Sequence, residues 1–278
     1  MRDRAAGAAG RAERRRPGRL TAGAPPAPAR WPAGWPGPPG VGQNLPVPAP
    51  GDEPAAPYPV PGRDSRPDDR PWPALDWPPP PGVTLAGEVV GLRPAEPGPD
   101  GALLFPALDQ DPVWAHVPGR PGRPADWDEL LAARVAAGAL PWIVSLRRPC
   151  GGLAAGSVVG ITCYADVSPA DARLEIGGTA YHPAVWGTAV NADAKLALLS
   201  YAFGTLRAGR VQLKTDVRNV RSQRAIAALG ARYEGTLRRY QRRADGTVRD
   251  TAMFAITAED WPAARAVIER RRAARLSR

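Results

Sequence analysis

The sequence predicts a mixed α/β domain, helices flanking a sheet of parallel and antiparallel strands, behind a proline-rich N-terminal extension. Three observations carry this. From Val83 onward, short β-rich runs alternate with stretches of helical periodicity, in the order strand, helix, two or three strands, helix, strand, helix, two strands. Two of the helices sit between strands as crossovers. The last two strands meet at Asp245-Gly246, a two-residue hairpin signal, so a doubly wound, all-parallel sheet is excluded.

Of the 35 prolines, 22 fall in the first 81 residues. That segment has no sustained helical or alternating pattern, and burial there cannot offset the entropy of ordering the chain. Residues 1–81 are therefore expected to be a disordered or polyproline-like extension, an unstructured arm or tether, and residues 82–278 the folded domain.

Within the domain, "VTLAGEVVGLRP" (83–94) reads as a first strand ended by Pro94. "ADWDELLAARVAAG" (125–138) reads as a helix, with Asp126 as N-cap, Glu129 as its capping-box partner and Gly138 as the stop. "PWIVSLRR" (141–148) and "GSVVGITCYADV" (156–167) are strands joined by a Gly-rich turn. "ARLEIGGTAYH" (172–182) is a third, and Gly177-Gly178 within it predicts a bulge. Leu196, Leu199, Phe203 and Leu206 then share one helix face. "RVQLKTDV" (210–217) is a strand, Ser222 is placed to cap "QRAIAALG", and Gly230 follows as the C′ residue. Residues 231–257 form the closing hairpin, and Asp260 opens a final helix.

Composition narrows the function classes. No run of 18 apolar residues occurs, so no membrane span is expected. The Arg-rich start lacks an apolar stretch and does not read as a secretory signal, which points to the cytoplasm and reduced thiols. Cys150, Cys163, His116 and His182 lack metal-ligand spacing, which argues against a zinc site. Net charge is +10, nearly all of the cations being arginine, with clusters at 237–243 and 269–278. A solvated strand face and a basic helix end are preferred over a nucleic-acid patch, and attraction to a phosphorylated cofactor stays open.

The stretches "EIGGTAYHPAVWGTAVNADAKLALLSYAF", "RVQLKTDVRNVRSQRAIAALGARYEGTLR" and "DGTVRDTAMFAIT" together resemble the GNAT (Gcn5-related) N-acetyltransferase superfamily, and within it the RimJ/RimL-like branch. The resemblance implies a GNAT-type central sheet in which two strands splay, acetyl-CoA as co-substrate with its pantetheine arm in the gap, and an amine acceptor. It places the diphosphate over Trp186, Gly187, Thr188, Ala189, Val190 and Asn191, held by main-chain N–H groups at a helix start. Trp186 stands where the family has a basic or amide residue, and Ala189 stands for a glycine, which costs about 1 kcal/mol if its φ is positive. Asn219 and Ser222 match the family's second cofactor element. Ile226 occupies the position of the usual proton-donating tyrosine, which leaves Ser222 to protonate the leaving thiolate.

For the base, Glu175 acting through water is the choice among the candidates, although a solvated face is the commoner fate of a strand glutamate; Glu234 and His182 are alternatives, Glu234 being the more structural. Gln241 occupies the position of the glutamate assigned as base in RimL-like proteins. Asp250 is expected to hold the substrate ammonium, or else to pair with Arg249 or Arg239. The function implied is acetyl transfer to a primary amine, on a protein N-terminus or a small molecule, by a monomer or homodimer. The competing readings are a non-catalytic acyl-CoA-binding module and an Arg-rich ribosome- or nucleic-acid-associated protein.

Overall fold

The computed structural model describes residues 71–277 apart from residue 244. The disorder expected of residues 1–70 lies outside the described residues. Among those described, strands β1 (Leu85–Ala86), β2 (Val90–Pro94), β3 (Leu140–Leu146), β4 (Val158–Ser168), β5 (Arg173–Tyr181), β6 (Arg210–Asp216), β7 (Arg232–Arg242) and β8 (Val248–Thr257) form one sheet in the order β1-β2-β3-β4-β5-β6-β8-β7. Every neighbouring pair is antiparallel except β5–β6, which is parallel because α4 (Val190–Gly204) crosses over between them. The mixed α/β class expected from the sequence is the observed one.

Four local readings change. The first predicted strand is a hairpin, turned at Gly87, whose N–H donates to the Val90 carbonyl at 2.8 Å. The helices α1 (Gly101–Leu108) and α2 (Asp111–Trp114) escape the periodicity because Pro106 interrupts the first and the second is a single turn of four residues. α3 (Pro124–Ala136) starts at a proline in the first helical position, so Asp126 lies inside its first turn. Its carboxylate accepts the Gly122 N–H at 2.9 Å and the Arg123 Nε–H at 2.7 Å, which secures the approach to the helix in place of a capping box. Finally, the folded body begins before residue 82. Leu75 is buried in the core, its N–H donates to the Pro169 carbonyl at 2.9 Å, and Arg207 grips the Asp76 carboxylate at 2.6 and 2.7 Å.

The sheet buries both faces. On one, α4 and α6 (Trp261–Leu276) bring Leu198, Leu199, Ala202 and Ile268 against Leu174, Ile176, Val211, Leu213 and Phe254. On the other, Leu104, Leu108, Trp127 and Leu131 from α1 and α3 pack on Ile143, Ile161 and Ala180. The second layer covers β3, β4 and part of β5, while Lys214 on β6 and Arg249 on β8, which share that face, stay partly exposed. A groove thus runs along the sheet beyond the edge of α1 and α3.

Candidate active site

The site grows out of one irregularity in β5. Its register with β4 slips between the pairs Ile161–Ala180 and Cys163–Gly177, so Gly178 is extra, and it adopts φ of +56°. Only glycine enters that region without steric cost, which is why the Gly-Gly pair sits there. The bulge bends β5 away from β6. The two pair only over Arg173–Glu175 and Arg210–Gln212, although β5 continues to Tyr181 and β6 to Asp216. A wedge-shaped gap therefore opens in the middle of the sheet, lined by unpaired strand edges.

At the wide end of the gap, β5 leads through a short 3-10 turn (Pro183–Val185) into α4. The His182 imidazole accepts the Ala184 N–H at 3.1 Å and caps that turn. The Trp186 indole N–H donates to the Tyr181 carbonyl at 2.9 Å, so this ring is folded back on its own strand. Gly187 takes φ of +75° with open space where a Cβ would stand, and Ala189 takes φ of −72°, so alanine there carries no strain. Thr188 spends its hydroxyl on the Val185 carbonyl at 2.6 Å, and Val190 is fully buried. Among the described residues the N–H groups of Gly187, Ala189, Asn191 and Ala192 have no acceptor in the turn. This is the unfilled positive end of a 15-residue helix. Beside it, Gly187, Thr188 and Ala189 share a cavity of about 290 Å³ with Arg148 and Arg275. Neither arginine stands out in the sequence, since Arg275 lies in the basic run 269–278 that reads as a helix end and Arg148 closes the strand pattern 141–148.

Across the gap, α5 (Val220–Ala227) begins at Asn219, whose Oδ1 accepts the Ser222 N–H at 3.0 Å. Asn219 is thus the N-cap in place of Ser222, and the Ser222 hydroxyl has no partner among the described residues. Arg221, on the same first turn, lays its guanidinium 3.6 Å from the centre of the Trp186 ring. That stacking links α5 to the opposite lip of the gap.

The floor of the groove is polar. Glu175 is 5% exposed, so it is not a solvated strand glutamate. Its Oε2 lies 2.6 Å from Lys214 Nζ, and its carboxylate fills the space where a Cβ on Gly177 would stand. Burial works against the Lys214 charge, but the bond and attraction to Glu175 outweigh it and hold the ammonium above its ordinary range. Asp216 is clasped by Arg243 at 2.6 and 3.1 Å, and that hydrogen bonding holds its carboxyl below the usual range. Glu234 is paired with Arg210 at 2.5 and 2.7 Å, a structural bond. Asp250 does not join the groove. Arg249 and Thr251 share the face of Lys214, so strand alternation turns Asp250 to the opposite face, where its Oδ1 accepts the Arg239 backbone N–H at 2.7 Å.

A parted parallel pair, a helix start with free amides at its mouth and an acid–base floor beneath it form a recognisable set. The family model for the acetyltransferase (GNAT) domain matches residues 90–232, from the second strand of the first hairpin to the start of β7. The chain belongs to the GNAT family. Solved GNAT-like structures agree. A putative acetyltransferase from T. thermophilus is 33% identical, with 70% of this chain and 98% of that one covered and a TM-score of 0.60. A probable GNAT-family acetyltransferase from Chromobacterium violaceum is 27% identical over 73% and 99% of the two chains, with a TM-score of 0.65. Mycobacterium smegmatis RimJ in complex with CoA-disulfide is 24% identical over 73% and 98%, with a TM-score of 0.59, and shares the fold. No curated protein matches the chain. No described helix is long and apolar enough to cross a membrane.

Proposed function

We propose that the chain transfers an acetyl group from acetyl-CoA directly to a primary amine. The observation that carries this reading is the gap between β5 and β6, with unpaired amides at its mouth and Glu175 on its floor. The residues present suit the co-substrate. The free N–H groups of Gly187, Ala189, Asn191 and Ala192 would receive the diphosphate, with Arg148 and Arg275 adding charge at the same cavity. The β5 edge beyond Glu175 would pair with the amides of the pantetheine arm, and the Asn219 amide N–H₂, which the cap leaves free, would bond it from α5.

In the reaction the amine nitrogen attacks the thioester carbonyl, a C–N bond forms and the C–S bond breaks. Glu175, through a water, takes the proton that the amine must lose, while Lys214 balances its charge in the ground state. The Ser222 hydroxyl, uncommitted to the cap, relays a proton to the departing thiolate and takes one back from solvent, while Glu175 returns the amine proton to solvent, so both groups are restored. The arrangement of β5 also leaves strand N–H groups to receive the charge that develops on the carbonyl oxygen. The acceptor amine belongs to a protein N-terminus or a small molecule, as in the RimJ/RimL-like branch.

Calorimetric titration with CoA tests the binding half of this reading, and thiol release from acetyl-CoA with a panel of amines tests the chemistry. Ser222→Ala is expected to lower kcat about 100-fold or more, with CoA affinity retained. CoA binding without thiol release from any amine would instead favour a non-catalytic acyl-CoA module, for which Gln241 in β7 is the supporting residue.

A further inference from the structure

The charges in the groove do not balance. Glu175 is matched by Lys214 and Asp216 by Arg243. Asp166 accepts from the Gln212 amide at 2.7 Å and from Arg173 at 3.3 Å. Two arginines remain. Arg249, on β8, is partly buried, and its one hydrogen bond among the described residues runs from Nε to the Thr251 hydroxyl at 3.0 Å. Arg134, on α3, reaches toward the bulge, where its guanidinium lies 3.1–3.4 Å from the position of a Cβ on Gly178. Its Nη1 is shielded from water and has no hydrogen-bond partner among the described residues. The Glu175 charge is felt by Arg249 and, together with that of Arg134, by the Cys163 thiol. Burial pulls the Arg249 guanidinium below its ordinary range, and the attraction of Asp216 and Glu175, neither of which is hydrogen-bonded to it among the described residues, offsets this only in part.

A guanidinium donor shielded from water without an acceptor, as at Arg134 Nη1, is a standing cost, and an anion reaching it and the open donors of Arg249 removes that cost. The guanidinium fork fits the two oxygens of a carboxylate or phosphate. We infer that the acceptor is an amine that also carries an anionic group, carboxylate or phosphate, and that Arg249, with Arg134, holds that group while the amine faces the gap. The inference rests on the acetyltransferase reading and adds the acceptor's chemical class to it. Asp250, expected from the sequence to hold the substrate ammonium, faces away, so recognition passes from the ammonium to the anion.

The test uses the full-length chain and amines paired to differ only in charge. Suitable pairs are an amino acid and its carboxamide, O-phosphoethanolamine and ethanolamine, and peptides with Asp or Asn as second residue. The carboxylate and phosphate pairs separate the two sources of the anion. The expected result is a kcat/KM at least tenfold higher for the anionic member of one pair. Arg249→Gln should collapse that ratio toward one by raising KM, and Arg249→Lys should recover part of it. Inorganic phosphate and acetate, titrated by calorimetry against the CoA-saturated chain, give a readout free of turnover. One of them is expected to bind, and at least tenfold more weakly to Arg249→Gln. Equal use of neutral and anionic partners, or a ratio untouched by Arg249→Gln, overturns the inference and leaves the transferase reading standing; so does failure of both anions to bind. Failure of CoA itself to bind removes both.

Discussion

Lys195 sits in the core between α4 and the sheet, 4% exposed, donating to the Thr162 and Thr179 hydroxyls at 3.0 and 2.8 Å. Burial pulls its ammonium down to about 7. The unfolded chain keeps an ordinary lysine near 10.4, so between about pH 7 and 10 the unfolded state binds more protons. Stability therefore rises with pH across that window, and below it the folded chain bears the whole penalty of a buried cation. Lys195→Met keeps the volume and removes the charge, while Thr162 and Thr179 still bond each other at 2.8 Å. It is expected to raise Tm more at pH 6 than at pH 9, which thermal unfolding at the two values checks. Asp193 lies just upstream on the same helix. It is fully buried and accepts the N–H groups of Glu88, Val89 and Val90 at 2.7–3.1 Å as well as Arg272 at 3.2 Å. Asp193→Ala strands all four donors and is expected to cost roughly 3–5 kcal/mol in urea unfolding.

At the scale of elements, the bulge in β5 sets the site. A Cβ at Gly178 would be forced to positive φ and would stand 3.1 Å from Arg134 Nη1. Gly178→Ala is expected to lose about 1–2 kcal/mol of stability and to weaken acetyl-CoA binding in calorimetry, because straightening β5 narrows the gap. This element was legible: Gly-Gly inside a strand pattern signals a bulge, and the residues following it signal a helix start. The neighbouring helices α1 and α2 were not: Pro106 breaks the propensity of α1, which burial of Leu104 and Leu108 overrides, and α2 is one turn, too short to show a period, held by buried Val113. The capping roles also escaped. Asn219 and Ser222 are both good caps by composition, and only the backbone geometry at Asn219 decides between them. The Glu175–Lys214 pair is invisible in one dimension, since it depends on the β5–β6 register.

For the whole molecule, a ligand that binds the folded state alone stabilises it by mass action. Acetyl-CoA at a hundred times its Kd is expected to add about 2.7 kcal/mol, seen as a rise in Tm that grows with ligand concentration. An unchanged Tm at saturation would remove the proposed cofactor role. The order of elements, and so the fold class, could be read from periodicity and turns over the domain, while the pairing of β6 with β8 places β7 at the rim, an order no local pattern encodes.

That rim position has a consequence for solubility. β7 meets solvent along nearly its whole length, with Tyr233, Leu237 and Tyr240 uncovered and one backbone edge lacking a strand among the described residues. Such a border invites a second sheet to grow onto it, and Arg238, Arg239 and Arg242 answer with mutual repulsion. Neutralising those three charges would turn the rim into a seed for fibres.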